Sequence, residues 1–379
     1  MVLVYKLRVR SVQGRSRESI FDLMEILRVS GLQNVLLAGL VVLCAGCKTP
    51  TSEKPRGEVV AIRAPLGLPP VPIPPDNPPT AQTIALGRRL FYDPRLSKDN
   101  TVSCASCHNP NFAFTDHVPI ARGIGGLLGV RNTPTLLNAA YSPIQFWDGR
   151  AATLEAQSAF PIADPLEMNE PHEVSVSKIG NDPAYKAEFA QAFGPGAVAL
   201  GQIQKSLASF ERTLLSADSP FDQYQYGGNK QVLSPAAIHG LEIFKDPQRG
   251  NCAVCHTIDA HYALFTDGKF HNTGAGINGE GDFTDLGRFG QTKLEADRGE
   301  FKTPTMRNVA LTAPYMHDGS LKTLKDVVDF YVGGGNSNPD LDKQMKPLKL
   351  SAQDRADLVT FLESLNGEMP KNAGPPGKE

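Results

Sequence analysis

Two five-residue segments carry the clearest chemistry in the sequence: Cys104-Ala105-Ser106-Cys107-His108 and Cys252-Ala253-Val254-Cys255-His256. In each, two thiols lie one helical turn apart and a histidine follows at once. That spacing lets both sulfurs form thioethers with the vinyl groups of one haem, while the histidine meets the iron as its axial ligand. A redox dithiol has no need of the following histidine, and a zinc site would need further ligands at motif spacing. Two such segments point to two covalently bound c-type haems, with His108 and His256 as proximal ligands. The chain holds six cysteines. Four are assigned to haem, Cys44 and Cys47 lie far to the amino-terminal side, and no pair remains for a structural disulfide.

The elements that must position these groups recur as well. Leu86-Gly87-Arg88-Arg89-Leu90-Phe91-Tyr92-Asp93-Pro94 precedes the first motif, and His239-Gly240-Leu241-Glu242-Ile243-Phe244-Lys245-Asp246-Pro247 precedes the second. Both read as short amphipathic helices running into a loop. Thr133-Pro134-Thr135 opens a segment that ends at Asp148-Gly149 and continues to Thr153-Leu154. Thr303-Pro304-Thr305 opens its twin, ending at Asp318-Gly319 and continuing to Thr323-Leu324, and Asn138 and Asn308 coincide. No strand-like alternation is evident. The expected fold is all-α: two tandem class I cytochrome c-like domains over residues 81–225 and 226–369, one haem in each.

The remainder reads as address and linker. The chain has 379 residues and a net charge of −2, which suits two domains and lacks the basic footprint of a nucleic-acid binder. Val35 to Gly46 is an apolar run too short to span a membrane but right for a signal-peptide core. It ends in Leu43-Cys44-Ala45-Gly46-Cys47, which resembles a bacterial lipoprotein signal, although Cys44 stands where leucine is usual. Residues 1–46 are therefore expected to be a signal peptide whose true start could be Met24, with Cys47 lipidated; an uncleaved anchor is the alternative. Either route places the protein in the periplasm or otherwise outside the cytoplasm. Residues 47–80 carry ten prolines between Pro50 and Pro79 and are expected to be an extended tether. Residues 370–379 read as a flexible tail.

The sequence resembles the bacterial di-haem cytochrome c peroxidase and MauG family over nearly all of residues 81–365. The resemblance rests on Ser103-Cys104-Ala105-Ser106-Cys107-His108, Arg131-Asn132-Thr133-Pro134-Thr135, Phe146-Trp147-Asp148-Gly149-Arg150, Pro165-Leu166-Glu167-Met168, Thr303-Pro304-Thr305-Met306-Arg307-Asn308 and Leu311-Thr312-Ala313-Pro314-Tyr315-Met316-His317-Asp318-Gly319. It implies that the first-half haem is the peroxidatic one, with Glu167 as the carboxylate that moves a proton between the two peroxide oxygens. Gln157 and Pro161 match distal-pocket positions of MauG-like members. Trp147, the single tryptophan, matches the inter-haem residue of the family; its counterpart in the second repeat is His317.

Three further expectations follow. Spacing alone would make Met316, 60 residues after His256, the distal ligand of the second haem; the family pattern instead selects Tyr331, a tyrosine position in MauG and a methionine position in peroxidases. A thioether favours ferrous iron, a phenolate ferric iron. Where many peroxidases carry a histidine that blocks the first haem, this chain has Ile124, so that haem is expected to be open when oxidised; His117 is the alternative cap. A calcium ion held by the Asn132 side chain and the carbonyls of Thr312 and Pro314 is implied by the resemblance alone.

The function implied is a cytochrome-c peroxidase-type enzyme: hydrogen peroxide is reduced to water by electrons from a small c-type cytochrome or copper protein (cupredoxin). A MauG-like enzyme that uses peroxide to oxidise aromatic residues of a partner protein is the alternative, and a non-enzymatic di-haem electron carrier is the third reading. Membrane contact is expected only through the lipid anchor, and a homodimer is compatible with the family.

Overall fold

The structure is a computed structural model in which residues 54–377 are described; the expectations for 1–46 and for Cys47 lie outside the described residues. The first half holds α1 (Ala81–Phe91), α2 (Cys104–Cys107), α3 (Leu154–Ala163), α4 (His172–Gly180), α5 (Pro183–Phe193) and α6 (Leu200–Glu211). The second holds α7 (Pro220–Gln225), α8 (Pro235–Lys245), α9 (Phe289–Thr292), α10 (Leu324–Val332) and α11 (Ala352–Glu363). The expected helical repeat is present. A short antiparallel ribbon, β1 (Phe270–His271) with β2 (Phe301–Lys302), is added to it.

Each half is built on one helix crossing, and the repeated glycines explain it. Thr80 caps α1 by accepting from the Thr83 amide at 3.2 Å, which satisfies a donor that the helix start leaves free. Leu86, Leu90 and Phe91 form its buried face. Gly87 lies under the carbonyl of Ser206 on α6, where a Cβ would come within 1.9 Å. On α8, Gly240 lies under the carbonyl of Asp357 on α11, where a Cβ would come within 2.1 Å. Only a residue without a side chain lets the two backbones approach so closely. Phe210 and Phe361 pack on the matching side of the two glycines. Asn138 and Asn308 also play equivalent parts. Both adopt left-handed backbone, and their amides donate to Leu214 O at 2.8 Å and Leu365 O at 3.1 Å, just beyond α6 and α11.

Packing crosses the expected domain boundary at one helix. The helix α7 falls before residue 226, yet Phe221 is fully buried among Phe265 and Phe361 of the second core, at ring distances of 5.1 and 5.9 Å. Its apolar ring packs with the second half's core, so α7 is joined to that core although it precedes residue 226.

The proline-rich stretch also differs from a free tether. From residue 54 onward it is extended, as its prolines require, but it is strapped onto both halves. Arg56 donates its amide to Ala192 O at 2.7 Å. Asn77, fully buried, donates to Glu155 Oε1 at 2.7 Å and to Lys205 O at 3.0 Å. Leu68 joins a small apolar cluster with Leu215 and Ala217. Gly67 accepts from Ala263 N at 3.0 Å and from the Arg307 guanidinium at 2.6 Å. Arg307 itself is buried and forms a bidentate pair with buried Asp222, both contacts 2.9 Å. The tail is docked too: Tyr92 donates to Ala373 O at 2.5 Å and Arg88 to Gly374 O at 2.6 Å. Proline removes amide donors but leaves carbonyls, and the strap is held both by carbonyls such as Gly67 O and Pro69 O and by the amides of Arg56 and Asn77.

Candidate haem sites and the contacts between them

The two motif turns have the same local construction. The thiols of Cys104, Cys107, Cys252 and Cys255 are unpaired. His108 donates from Nδ1 to Phe114 O at 3.0 Å, and His256 donates from Nδ1 to Phe265 O at 2.8 Å. Burial pushes both imidazoles below their usual pKa, which keeps them neutral. Each therefore has its Nε2 lone pair available, the tautomer that an axial ligand needs. The threonine that ends each Thr-Pro-Thr segment fixes the loop carrying that acceptor: Thr135 donates to Ala113 O at 2.5 Å and Thr305 to Leu264 O at 2.8 Å. These residues fit a covalently attached haem in each half. A metal site of another kind fits less well. Cys255, Asp267 and His271 approach one another within 4.8 Å, but both ring nitrogens of His271 are taken, by Asp342 at 2.6 Å and Asp267 at 3.0 Å.

Glu167 follows α3 in a turn closed by its amide donating to Asp164 O at 3.1 Å. Its carboxyl is pushed up to about 6, chiefly by burial and then by Asp164, with Arg150 opposing. Its charge acts on both Cys104 and Cys107, which places it within electrostatic reach of the first motif. Gln157 and Pro161 stand four residues apart on α3, on one face of the helix. Pro161 O accepts from Met168 N at 3.1 Å, tying that face to the Glu167 turn. Ile124 is buried and donates its amide to Glu167 O at 2.7 Å. His117 is exposed, stacked on Phe112 at 4.4 Å, and bonded through Nε2 to Leu311 O at 2.9 Å.

In the second half, Tyr331 projects from α10. Burial pushes its phenol up, and the Cys252 and Cys255 thiols act in the same direction, so the phenol lies within electrostatic reach of the second motif. Met316 lies in a turn with left-handed backbone.

The halves meet through a reciprocal pair of backbone bonds that follows the repeat. Asn132, just before the first Thr-Pro-Thr, donates to His317 O at 2.7 Å; Lys302, just before the second, donates to Trp147 O at 2.8 Å. Trp147 then returns a bond from its indole Nε1 to Asn132 O at 3.0 Å. The guanidinium of Arg131 spans the contact, 2.7 Å from Asp148 and 2.6 Å from Asp285. Trp147 is thereby held by groups of both halves. The Asn132 amide donates to Val118 O at 2.9 Å and Pro119 O at 3.3 Å. Its Oδ1 and the carbonyls of Thr312 and Pro314 accept no hydrogen bond among the described residues, so the donor chemistry is compatible with a hard cation.

Two residues of the first site were not singled out from sequence. Arg150 stacks on Phe146 at 3.5 Å and bonds Asp148 at 3.2 Å. Glu211 is buried at the end of α6, and its Oε2 has no hydrogen-bond partner among the described residues. The legible signal was asymmetry of the repeat: Arg150 stands where the second half has Ser320, and Glu211 where it has Leu362.

Comparison with known proteins gives a consistent result. The profile of the di-haem cytochrome c peroxidase family matches residues 81–231, and that of cytochrome c matches 237–366. The methylamine utilization protein MauG of Methylorubrum extorquens is 38% identical over 86% of this chain and 91% of its own length. The cytochrome c551 peroxidase of Pseudomonas aeruginosa is 37% identical over 78% of this chain and 82% of its own. Among solved structures, a MauG-like protein associated with microbial copper homeostasis has a TM-score of 0.71 at 34% identity, covering 80% of this chain and 95% of that one. The di-haem peroxidase BthA of Burkholderia thailandensis has a TM-score of 0.66 at 26% identity, covering 78% and 89%.

Proposed function

The chain belongs to the di-haem cytochrome c peroxidase and MauG family, and from that premise we propose that it reduces hydrogen peroxide to water in its first half, drawing electrons one at a time through its second. The observation that carries this reading is Glu167: a half-buried carboxyl, held near pKa 6, within electrostatic reach of the first pair of haem-attaching thiols. Held through Cys104, Cys107 and His108, the first haem would supply the redox-active iron for a two-electron reduction of peroxide. The protein's residues supply the proton handling. Ionised Glu167 accepts the proton of the inner peroxide oxygen and returns it to the outer one, which leaves as water. Gln157, from the same side as Pro161, orients the peroxide. Arg150 limits how far burial lifts the Glu167 pKa. Buried Ile124 contributes no ligand atom, and His117 is committed to Leu311 O, so both support a first site open in the oxidised protein. Trp147, bonded into both halves, is the conductor between them. The donor is a small c-type cytochrome or cupredoxin.

Tyr331, within electrostatic reach of Cys252 and Cys255, favours a second reading. A phenolate ligand there, in place of Met316, would stabilise ferric iron and suit a MauG-like enzyme that oxidises an aromatic residue of a partner protein. Export through residues 1–46, lipidation at Cys47 and calcium at Asn132, Thr312 and Pro314 complete the proposal.

The test mixes the as-isolated ferric protein, without pre-reduction, with peroxide and a reduced small c-type cytochrome. Rapid oxidation of the cytochrome is expected. No cytochrome oxidation while peroxide is still consumed would move the assignment to the MauG-like reading. A response only after the second haem is pre-reduced would refute the open first site.

A further inference from the structure

The two halves are copies, so each residue that breaks the copy is a place where one haem is treated differently from the other. Glu211 is the most deeply buried such break. It ends α6 directly after Phe210, which packs by Gly87 as Phe361 packs by Gly240. The position after Phe361 is Leu362, a buried apolar residue. An apolar slot of the second half is thus a carboxyl slot in the first. Glu211 is 4% exposed, and its Oε2 reaches no hydrogen-bond partner among the described residues. It lies near enough to Cys104 to act on that thiol, together with Glu167. Cys104 packs against the core cluster that holds Phe210, the neighbour of Glu211, and two carboxyls act on it, whereas Cys252 is influenced chiefly by burial and Cys255.

A carboxyl placed there without a partner is costly if ionised and inexpensive if protonated. Burial pushes Glu211 up to about 8, opposed by Arg212 and supported by Glu155. The surrounding charges do not neutralise it. Arg212, on the same helix, pairs with Glu155 of α3 at 2.8 Å. Arg89 of α1 pairs with Glu188 of α5. Lys205 lies 3.5 Å from Asp76 of the strap. Glu167 acts on the same motif with its own, lower pKa. The Cys104 thiol ceases to titrate once it is a thioether.

We propose that Glu211 is a second proton-carrying residue of the first haem site, giving up its proton when that haem is oxidised and regaining it on reduction. In the one-electron couple read at an electrode, one electron leaves the first haem as one proton leaves the Glu211 carboxyl for solvent. The new positive charge and the carboxylate stabilise one another. Reduction of peroxide consumes protons as well as electrons, and Glu211 would store one of them beside the site. The inference deepens the peroxidase reading, but the proton linkage itself needs only the haem.

The test is a spectroelectrochemical titration of the first haem in the full di-haem protein, at a series of pH values bracketing about 8. The wild-type midpoint potential is expected to fall as pH rises, with a tenfold change in the equilibrium constant per pH unit, or about 59 mV for one electron. Glu211→Gln should flatten that dependence while leaving the second haem unchanged, and Glu211→Leu, the second half's own residue, should do the same. Glu167→Gln should keep the slope near pH 8, because its carboxyl titrates lower. Redox-difference infrared spectra give a readout independent of how well the leucine variant folds: the protonated-carboxyl band should vanish in Glu211→Gln. A flat wild-type titration, or a slope that survives Glu211→Gln, would overturn the proposal. A slope present in a protein that does not turn over peroxide would sink the peroxidase reading and leave this one standing.

Discussion

Replacing Glu167 by glutamine should move activity and stability in opposite directions. Burial and Asp164 lift its carboxyl from an ordinary 4.5 to about 6. A shift of that size corresponds to about 2 kcal/mol at 1.36 kcal/mol per unit. The sign follows from proton binding. Between 4.5 and about 6 the folded chain holds the proton more tightly than the unfolded chain, so stability falls as pH rises through that window. Above it the fold carries the whole penalty of a desolvated carboxylate. Glutamine fills the same space without a charge. The variant should therefore be more stable than wild type by up to about 2 kcal/mol at neutral pH, with no gain below the ordinary carboxylate pKa. Its peroxide turnover should drop roughly 10²- to 10⁴-fold, the usual worth of a positioned general base. In wild type the rate should rise with pH through about 6, as the carboxylate forms, and that limb should be missing in the variant. Stopped-flow oxidation of a reduced cytochrome and denaturant unfolding, each at acidic and neutral pH, supply the measurements. A variant that keeps its rate and its pH limb, or that is destabilised at neutral pH, would refute the reasoning.

Three other outcomes are expected. Tyr331→Met should raise the second haem's potential and Met316→Leu should leave it unchanged, as read by potentiometric titration; the opposite pattern would make Met316 the ligand. Arg307→Met should lose roughly 3–5 kcal/mol in denaturant unfolding, because it strands buried Asp222 without a counter-charge, and lysine should not rescue it, since it lacks the planar fork. Gly87→Ala and Gly240→Ala should each cost about 1–3 kcal/mol or more in thermal unfolding, because a methyl would strike the Ser206 or Asp357 carbonyl; a wild-type Tm in either would mean the crossings are looser than described.

Much of the site was legible because its chemistry is local. Cys-x-x-Cys-His is a one-turn arrangement, and its covalent demand on haem is written in contiguous residues. The tandem copy was equally readable, down to the glycine of each helix crossing and the asparagine that ties each loop to its last helix. Trp147 and Glu167 could be singled out by motif; the structure shows Trp147 bonded to groups of both halves and Glu167 in a half-buried turn after α3. The sequence by itself did not determine how distant segments meet. Ten prolines implied extension, but only the fold decided that the strap's carbonyls would be taken by Arg307, Tyr141 and Ala263. The helix at Phe221 had to be seen against Phe265 and Phe361 before it could be joined to the second half's core. That the ring of His117 rests on Leu311 O was likewise not readable from its position in the chain. Glu211 carries no local signal, since a glutamate at a helix end is ordinarily solvated. Covalent spacing depends on neighbours in the chain, whereas desolvation depends on whatever the rest of the chain packs around a group, and that is why the tertiary structure alone decided which carboxyls are buried.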